Sequence, residues 1–169
     1  RKTLELSKRS KLILPFIGIH PEKSSDDVNT ILELVKKNVS VLSGIGEIGL
    51  DKTYTNSDED FQKQKQLFES QLSIAEKIKK PVSIHSRKTL DEIYEIISSY
   101  TLNGVLLHWF DGNKRQLRKA MELDFFVSFG PLMVYAKDKQ VLLSKTDKNK
   151  ILFILFIVLV KNYKIIWLM

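Results

Sequence analysis

The chain has 169 residues, of which 43% are hydrophobic and 28% are charged, as expected for one globular domain of ordinary composition. It contains no cysteine, which excludes disulfides, thiolate metal sites and cysteine nucleophiles. Its 27 lysines and arginines exceed its 20 acidic residues and give a formal net charge of +7. Such a surface attracts polyanions, and nucleic acid is one class of them.

The sequence gives no sign of a membrane or secretory protein. Its first residues lack the pattern of basic, apolar and small residues that marks a signal peptide. The uninterrupted apolar run from Ile151 to Val160 is ten residues long, whereas a membrane span needs about 20. We therefore expect a cytoplasmic protein without membrane contact, in which this run is a buried strand.

The first half of the chain alternates between strand and helix patterns. A strand is predicted over residues 11–20, and Ser25 to Asp27 supply the N-cap of a helix. A second strand over 39–48 carries Glu47 at its far end. Ser57 is the predicted N-cap of a long helix with a single apolar stripe.

The second half continues the alternation. Short strands are predicted over residues 81–85, 104–108 and 125–130. Between them, Thr89 is placed to cap one helix, and a basic helix passes through Lys114. The order of strand then helix recurs about five times along the chain.

The strand patterns are continuous apolar runs without polar alternation. Strands of this kind belong to parallel sheets that are covered on both faces, so the alternation predicts a parallel α/β architecture. Periodicity alone leaves open whether the sheet closes into a barrel or stays open and doubly wound.

Polar side chains with catalytic potential gather at one end of these strands. Glu47, His20, His85 and His108 all lie at predicted carboxyl ends, which share one rim in a parallel sheet. Glu47, His85 and His108 offer a carboxylate and two imidazoles, a set suited to a divalent transition metal. Such a cation compensates a buried acid and activates water. A structural role for each histidine is the alternative.

Four motifs stand in order along the chain: Gly18-Ile19-His20-Pro21, Gly46-Glu47-Ile48-Gly49-Leu50-Asp51, Pro81-Val82-Ser83-Ile84-His85-Ser86-Arg87 and His108-Trp109-Phe110-Asp111-Gly112. Their residues and spacing resemble the signatures of the TatD-like metal-dependent deoxyribonucleases, a family of amidohydrolase-type barrel enzymes. The resemblance covers about residues 1 to 150.

The resemblance implies a TIM-type (β/α) barrel with a two-metal centre that hydrolyses phosphodiester bonds in DNA. Glu47 would bridge the two cations, and His85 and His108 would complete the ligands of the second one. The cations are Mg²⁺, Mn²⁺ or Zn²⁺, between which the sequence does not choose. DNA is the expected substrate, and no obligate protein partner is implied.

Other motif positions take roles through the same resemblance. Arg87 would join Glu47 as a catalytic residue, because a planar guanidinium suits a phosphate oxygen; a salt bridge that orients a ligand is the alternative. Asp51 would support the ligands from the second shell or form a turn. His20 would contact substrate or pack a loop. Trp109 would stack on a base or pack beneath the rim.

Two family signatures are not found in this sequence. These are the His-x-His pair of the first strand and the Thr-Asp-x-Pro block of the seventh. Thr146-Asp147 precedes the predicted strand, so Asp147 is not assigned as a ligand. We therefore expect an incomplete member of the family, with a partial barrel over 1–150 and an atypical apolar tail over 151–169 that is an altered seventh strand. Its activity is expected to be weak or absent.

Two other functions stay open from the sequence. One is a catalytically inactive nucleic-acid-binding domain that uses a basic helix face. Its residues would be Lys114, Arg115, Arg118 and Lys119. The other is a hydrolase of amides or lactones on the same barrel, since a fold does not fix a function.

Overall fold

The computed structural model describes residues 2–152 together with 155–156 and 167–168. Within these ranges the helices are α1 Lys2–Ser7, α2 Val28–Asn38, α3 Asp58–Lys77, α4 Leu90–Ile97, α5 Lys114–Glu122 and α6 Lys137–Lys145. The strands are β1 Ile13–Leu14, β2 Phe16–Ile17, β3 Gly44–Asp51, β4 Val82–Arg87, β5 Val105–His108, β6 Phe126–Val127, β7 Leu155–Phe156 and β8 Trp167–Leu168.

Five of these strands form one parallel sheet. Their spatial order, β2-β3-β4-β5-β6, is also their order in the chain, and every adjacent pair is parallel. Helices α2, α3, α4 and α5 make the successive crossovers. The predicted parallel α/β architecture is confirmed. A second, small sheet pairs β1, β8 and β7 in antiparallel fashion.

The prediction of a strand over 39–48 was wrong at both ends. The strand is Gly44–Asp51, because the backbone N–H groups of Val41 and Leu42 instead bond the Asn38 carbonyl and close the end of α2. Pairing on both sides begins only where the chain passes between Pro15 and Pro81. Glu47 therefore lies in the middle of β3.

The strand predicted over 11–20 is also shorter than expected. It is split into β1 and β2 by Pro15, which has no N–H to donate to a ladder. The chain leaves the parallel sheet after Ile17, and His20 lies beyond it as the N-cap of a 3₁₀ turn over Pro21–Lys23. His20 is thus not the last residue of a strand.

The sequence predicts side-chain N-caps for α3 and α4, and the structure confirms only the first of them. The Ser57 hydroxyl accepts a hydrogen bond from Asp60 N at 3.1 Å, which confirms it as the N-cap of α3. Thr89 occupies the N-cap position of α4, but its Oγ1 donates to the Leu50 carbonyl at 2.9 Å and caps nothing. The first turn of α4 is therefore left without a side-chain cap.

Two buried glutamines on α3 bind the backbone at the end of β3 and just beyond the end of β2. Gln64 accepts from Asp51 N at 2.9 Å and donates to Asp51 O at 3.1 Å. Gln71 does the same for Ile19, at 2.6 and 3.1 Å. Both glutamines are fully buried, so their amides must be satisfied inside the protein. They hold the chain on either side of the carboxyl edge of the sheet.

The predicted apolar tail at 151–169 is described only in part. Ile151 forms a parallel bridge to Val127, and Leu152 N donates to Val127 O at 2.9 Å. Most of the tail lies outside the described residues, so the division into a domain and a tail stays a prediction. No helix in the described ranges combines the length and apolar character that a membrane span requires.

The close approach of β3 to β4 gives a stability prediction. Gly49 has a φ of +144°, and a Cβ there would lie 2.0 Å from the His85 carbonyl oxygen. Gly49→Ala should lower the free energy of unfolding by at least about 2 kcal/mol, through backbone strain and overpacking. Gly104→Ala, whose Cβ would meet its nearest atom at 3.5 Å, is the control and should stay within about 1 kcal/mol. Equal urea midpoints for the two variants would contradict this packing.

Candidate metal centre

A cavity of about 730 Å³ opens at the carboxyl ends of the parallel strands, and we call it the mouth. Six of the seven residues that the sequence singled out line it: His20, Glu47, His85, Arg87, His108 and Trp109. The seventh, Asp51, is buried beside it. The parallel sheet therefore brings together residues that are far apart in sequence.

Glu47 is a buried carboxylate in the middle of β3, with 7% of its surface exposed. Its Oε1 lies 3.1 Å from Nδ1 of His85. Burial alone would raise the pKa of Glu47, but the hydrogen bond from His85 and the nearby charge of His108 and His85 lower it below its ordinary value. Glu47 is therefore ionised at neutral pH.

His85 is held between two carboxylates. Its Nδ1 faces Glu47, and its Nε2 lies 2.7 Å from Oδ2 of Asp51. Ionised carboxylates only accept hydrogen bonds, so the imidazolium form of His85, which donates from both ring nitrogens, satisfies both contacts. Burial would lower the pKa of His85, but Glu47 and Asp51 outweigh it and raise the pKa above 6.5.

Asp51 ends β3 and is 1% exposed. Its Oδ1 accepts from the backbone N of Thr53 at 2.8 Å and from the Thr53 hydroxyl at 2.6 Å. Burial works against its charge, but these bonds and the one from His85 keep the pKa of Asp51 below its ordinary value. Both oxygens of the Asp51 carboxylate are therefore held in place: Oδ1 is bound by Thr53, and Oδ2 is bound to His85 and orients its ring.

His108 ends β5 and is the register partner of His85 on the neighbouring strand. Its Nδ1 lies 3.3 Å from the Ser128 hydroxyl, which already accepts from Trp109 N at 3.1 Å. Burial lowers the pKa of His108 to about 4, with Glu47 opposing and His85 and His20 adding to the shift. The ring is therefore neutral at physiological pH.

His20 lies closer to the other ligating groups than the sequence indicated. Ligand atoms of His20, Glu47 and His85 lie within 4.8 Å of one another, and no other described set of three His, Asp or Glu residues has that spacing. The His20 and His85 ring centroids are 4.4 Å apart. Burial, followed by the charge of His85, lowers the pKa of His20, although Glu47 opposes the shift.

The tautomer of His20 follows from its backbone contact. Its Nδ1 accepts a hydrogen bond from Glu22 N at 3.3 Å. A neutral imidazole that accepts at Nδ1 carries its proton on Nε2. His20 therefore presents a donor, whereas a metal ligand presents a lone pair.

Arg87 and Trp109 form the outer part of the mouth. Arg87 ends β4, is exposed, and makes no ion pair with any residue that the structure describes. Trp109 has a φ of +45° and is 45% exposed. Its ring stacks on His108, with centroids 5.2 Å apart at 28°. A cationic and an aromatic side chain thus flank the buried acid.

The basic helix α5 lies apart from the residues that line the mouth. Arg115 makes two bonds to the Asp91 carboxylate, at 3.0 and 2.9 Å. The Lys119 ammonium lies 5.2 Å from the centre of the Tyr94 ring. At least two of its four cations are therefore used within the protein.

The donor set fits a divalent cation. One cavity is lined by the buried, ionised carboxylate of Glu47 and by the imidazoles of His85 and His108, of which His108 is neutral. Zn²⁺ and Mn²⁺ accept nitrogen and oxygen ligands of this kind. Two contributors to this geometry were missed in the sequence. Ser128 and Thr53 are small polar residues next to an apolar strand, and that position was their only signal.

Comparison with known proteins gives matches to one family and to several relatives. The family described as TatD related DNase matches residues 1–153. The human protein named deoxyribonuclease TATDN3 is 26% identical over 163 residues, covering 89% of this chain and 60% of that protein. A Haemophilus influenzae protein named uncharacterized metal-dependent hydrolase is 30% identical over 128 residues, covering 72% of this chain and 49% of that one.

Solved structures show the same fold. The Escherichia coli TatD homologue YJJV superposes with a TM-score of 0.79 at 24% identity, over 89% of this chain and 60% of that one. A TatD family hydrolase from Entamoeba histolytica gives 0.75 at 17% identity. The predicted partial TIM-type barrel is confirmed, with five parallel strands in the described residues.

The match is broad on this chain and partial on its relatives. The chain spans about half to three fifths of the length of the curated relatives that it matches. The family match nevertheless takes in almost all of the chain and confirms the resemblance seen in its four motifs. This chain therefore belongs to the family of TatD related DNases.

Proposed function

We propose that this chain binds a divalent cation at its mouth and belongs to a hydrolase that cleaves phosphodiester bonds in DNA. The buried, ionised Glu47 beside two histidines carries this proposal, since an acid in that position requires a cationic partner. The names of the relatives, deoxyribonuclease and metal-dependent hydrolase, support the same reaction class.

The proposed ligands are Glu47, His85 and His108. The Ser128 hydroxyl can accept a hydrogen bond from Nδ1–H of His108, and the tautomer that donates there has its lone pair on Nε2. His20 accepts at Nδ1 and is less suited to ligation, although it lies close by. Its Nε2–H instead suits an oxygen of the substrate phosphate.

In this proposal Asp51 orients His85 through the hydrogen bond to its Nε2. When a cation replaces the proton shared between His85 and Glu47, the bond from Nε2 to Asp51 can remain. Carboxylates that hold the second nitrogen of a metal-binding histidine fix its tautomer and raise its basicity. Asp51 therefore acts through His85 and does not touch the substrate.

The remaining side chains would position DNA. A divalent cation bound here supplies Lewis acidity toward a phosphoryl oxygen and toward water. Arg87, unpaired by any described acid and at the edge of the mouth, suits a second oxygen of the same phosphate. Trp109 is 45% exposed at the rim, where a base can stack on the part of its ring that His108 leaves uncovered.

Metal affinity distinguishes His108 from His20. His108→Ala should weaken Zn²⁺ or Mn²⁺ binding at least about tenfold, as loss of a ligand does, and Glu47→Gln should do the same. His20→Ala should stay within about threefold, since a ring that donates from Nε2 adds little to a cation site. Isothermal titration calorimetry measures all three. The reverse order for the two histidines would assign the cation to His20, Glu47 and His85.

Proton competition at His85 predicts the pH dependence of metal affinity. The pKa of His85 is raised, so below that pKa the cation must displace a proton, and affinity should rise about tenfold per pH unit until His85 is neutral. Asp51→Asn removes one of the two carboxylates, so its curve should reach a plateau at lower pH. The plateau itself should be about tenfold weaker, because the orienting bond loses its charge.

Titrations between pH 5.5 and 8.5 give both curves. Glu92→Gln, which changes an acid that pairs with Lys52, is a matched control and should reproduce the unmodified curve. If the metal affinity of the unmodified chain does not change with pH, no protonated His85 competes with the cation for this site.

DNA cleavage tests the proposed reaction. We expect slow nicking of plasmid DNA by the purified chain with Mn²⁺ or Mg²⁺, and none in EDTA. Glu47→Ala should reduce the rate at least about tenfold, whereas Glu95→Ala, a change of an exposed acid on α4, should not. Equal nicking by the Glu47 variant would remove Glu47 from the mechanism. Salt-dependent DNA binding that persists in EDTA, together with no nicking in Mn²⁺ or Mg²⁺, would favour the inactive binding domain.

A further inference from the structure

His108 is almost fully buried although it lies at the open end of the sheet. It ends β5 and lines the mouth, yet only 3% of its surface is exposed. The next residue, Trp109, is 45% exposed at the rim. Its indole stacks on the His108 ring, with centroids 5.2 Å apart and an angle of 28° between the planes. The more exposed indole therefore shields the imidazole from water.

The backbone of Trp109 has a conformation that side chains of its size rarely adopt. Its φ is +45°, in the left-handed region, where residues other than glycine are uncommon. Such a conformation persists only when surrounding contacts impose it. Two bonds to Ser128 are contacts of this kind: Trp109 N donates to Ser128 Oγ at 3.1 Å, and Phe110 N donates to Ser128 O at 2.7 Å. They hold the chain that follows β5 against the end of β6.

Gly130 packs directly against the face of the indole. A Cβ at this position would lie 2.9 Å from Cδ2, 3.0 Å from Cγ and 3.2 Å from Cε2 of Trp109. Cδ2 joins the two rings and is surrounded by ring atoms within the plane, so Gly130 approaches it from above the plane. A side chain at position 130 would therefore push the indole aside.

Ser128 and Trp109 restrain His108 in complementary ways. The Ser128 hydroxyl lies 3.3 Å from Nδ1 of His108. A hydrogen bond to one nitrogen fixes the position of that atom but leaves the plane of the ring free to turn. The stacked indole fixes the plane, because offset stacking is the favoured geometry of two rings at this distance. Together the two contacts determine where Nε2 of His108 points.

We propose that Trp109 is a positioning residue, which holds the His108 imidazole in one plane and so directs its Nε2 toward the cation. Gly130 belongs to the same arrangement, because it leaves room for the indole. The direction of Nε2 matters only under the proposed function, which makes His108 a ligand, whereas the hold on the ring does not depend on it. Stacking on a DNA base is a separate role of Trp109, and the two roles differ in their effects when no DNA is present.

NMR relaxation of the His108 ring tests this hold without metal or DNA. In the unmodified chain, the order parameters of its ring C–H bonds should be as high as those of rigid backbone. Trp109→Leu should lower them, since leucine is apolar but cannot stack, whereas Trp109→Phe should keep them high. Tyr135→Leu is the matched control, because Tyr135 also lines the mouth but packs on little, with 83% of its surface exposed.

Zn²⁺ affinity, measured by calorimetry without DNA, tests the consequence for the ligand. Trp109→Leu should weaken binding about tenfold, and Trp109→Phe should restore it to within about threefold of the unmodified chain. Gly130→Ala keeps the tryptophan but displaces its ring, so it should also weaken binding and lower the His108 order parameters. It decides the test if Trp109→Leu does not fold. Gly104→Ala, whose Cβ would meet its nearest atom at 3.5 Å, should change neither quantity.

Each outcome decides the proposal. An ordered His108 ring in Trp109→Leu would overturn it and leave the indole to a DNA base alone. Equal effects of leucine and phenylalanine would also overturn it, since a stacked ring would then not be the cause. So would a mobile ring with unchanged Zn²⁺ affinity, because its direction would not matter to the cation. A mobile ring that phenylalanine rescues, in a chain that binds no Zn²⁺, would support the hold on His108 and count against the metal site alone.

Discussion

The position of His85 between two buried carboxylates is the constraint on which the mouth depends. Glu47 and Asp51 are both ionised and almost fully buried, and His85 donates to each of them. Two negative charges in such a place are tolerable only when positive charge accompanies them. The proton on His85 meets this need without a metal, and a divalent cation can replace it. The site is therefore electrostatically prepared for a cation.

The relative position of β3 and β4 in the sheet determines this arrangement. Gly49 lets the two backbones approach at the level of His85, and the register sets Asp51 opposite Arg87. From the other side, Gln64 holds the end of β3. Buried amides with all their bonds made are specific in geometry, because a shift of one residue would leave them unsatisfied.

The sequence allowed part of this site to be predicted. Apolar runs located the strands, and Ser57 located the start of α3. Chain order and the parallel sheet then placed Glu47 beside His85 and His108 at the mouth. The start of β3 and the position of His20 were not predictable, because they depend on contacts between distant segments. Thr89 shows the same limit, since its hydroxyl prefers the Leu50 carbonyl to the helix beside it.

The protonation state of His85 is the most direct measure of this account. The chain has three histidines, so ¹⁵N NMR of the imidazoles can be assigned with single variants. Near neutral pH without metal, both nitrogens of His85 should be protonated while His108 is neutral. Adding Zn²⁺ should remove the proton from one nitrogen of His85 and leave the bond to Asp51. A neutral His85 before metal, or a Zn²⁺ response confined to His20, would contradict the account.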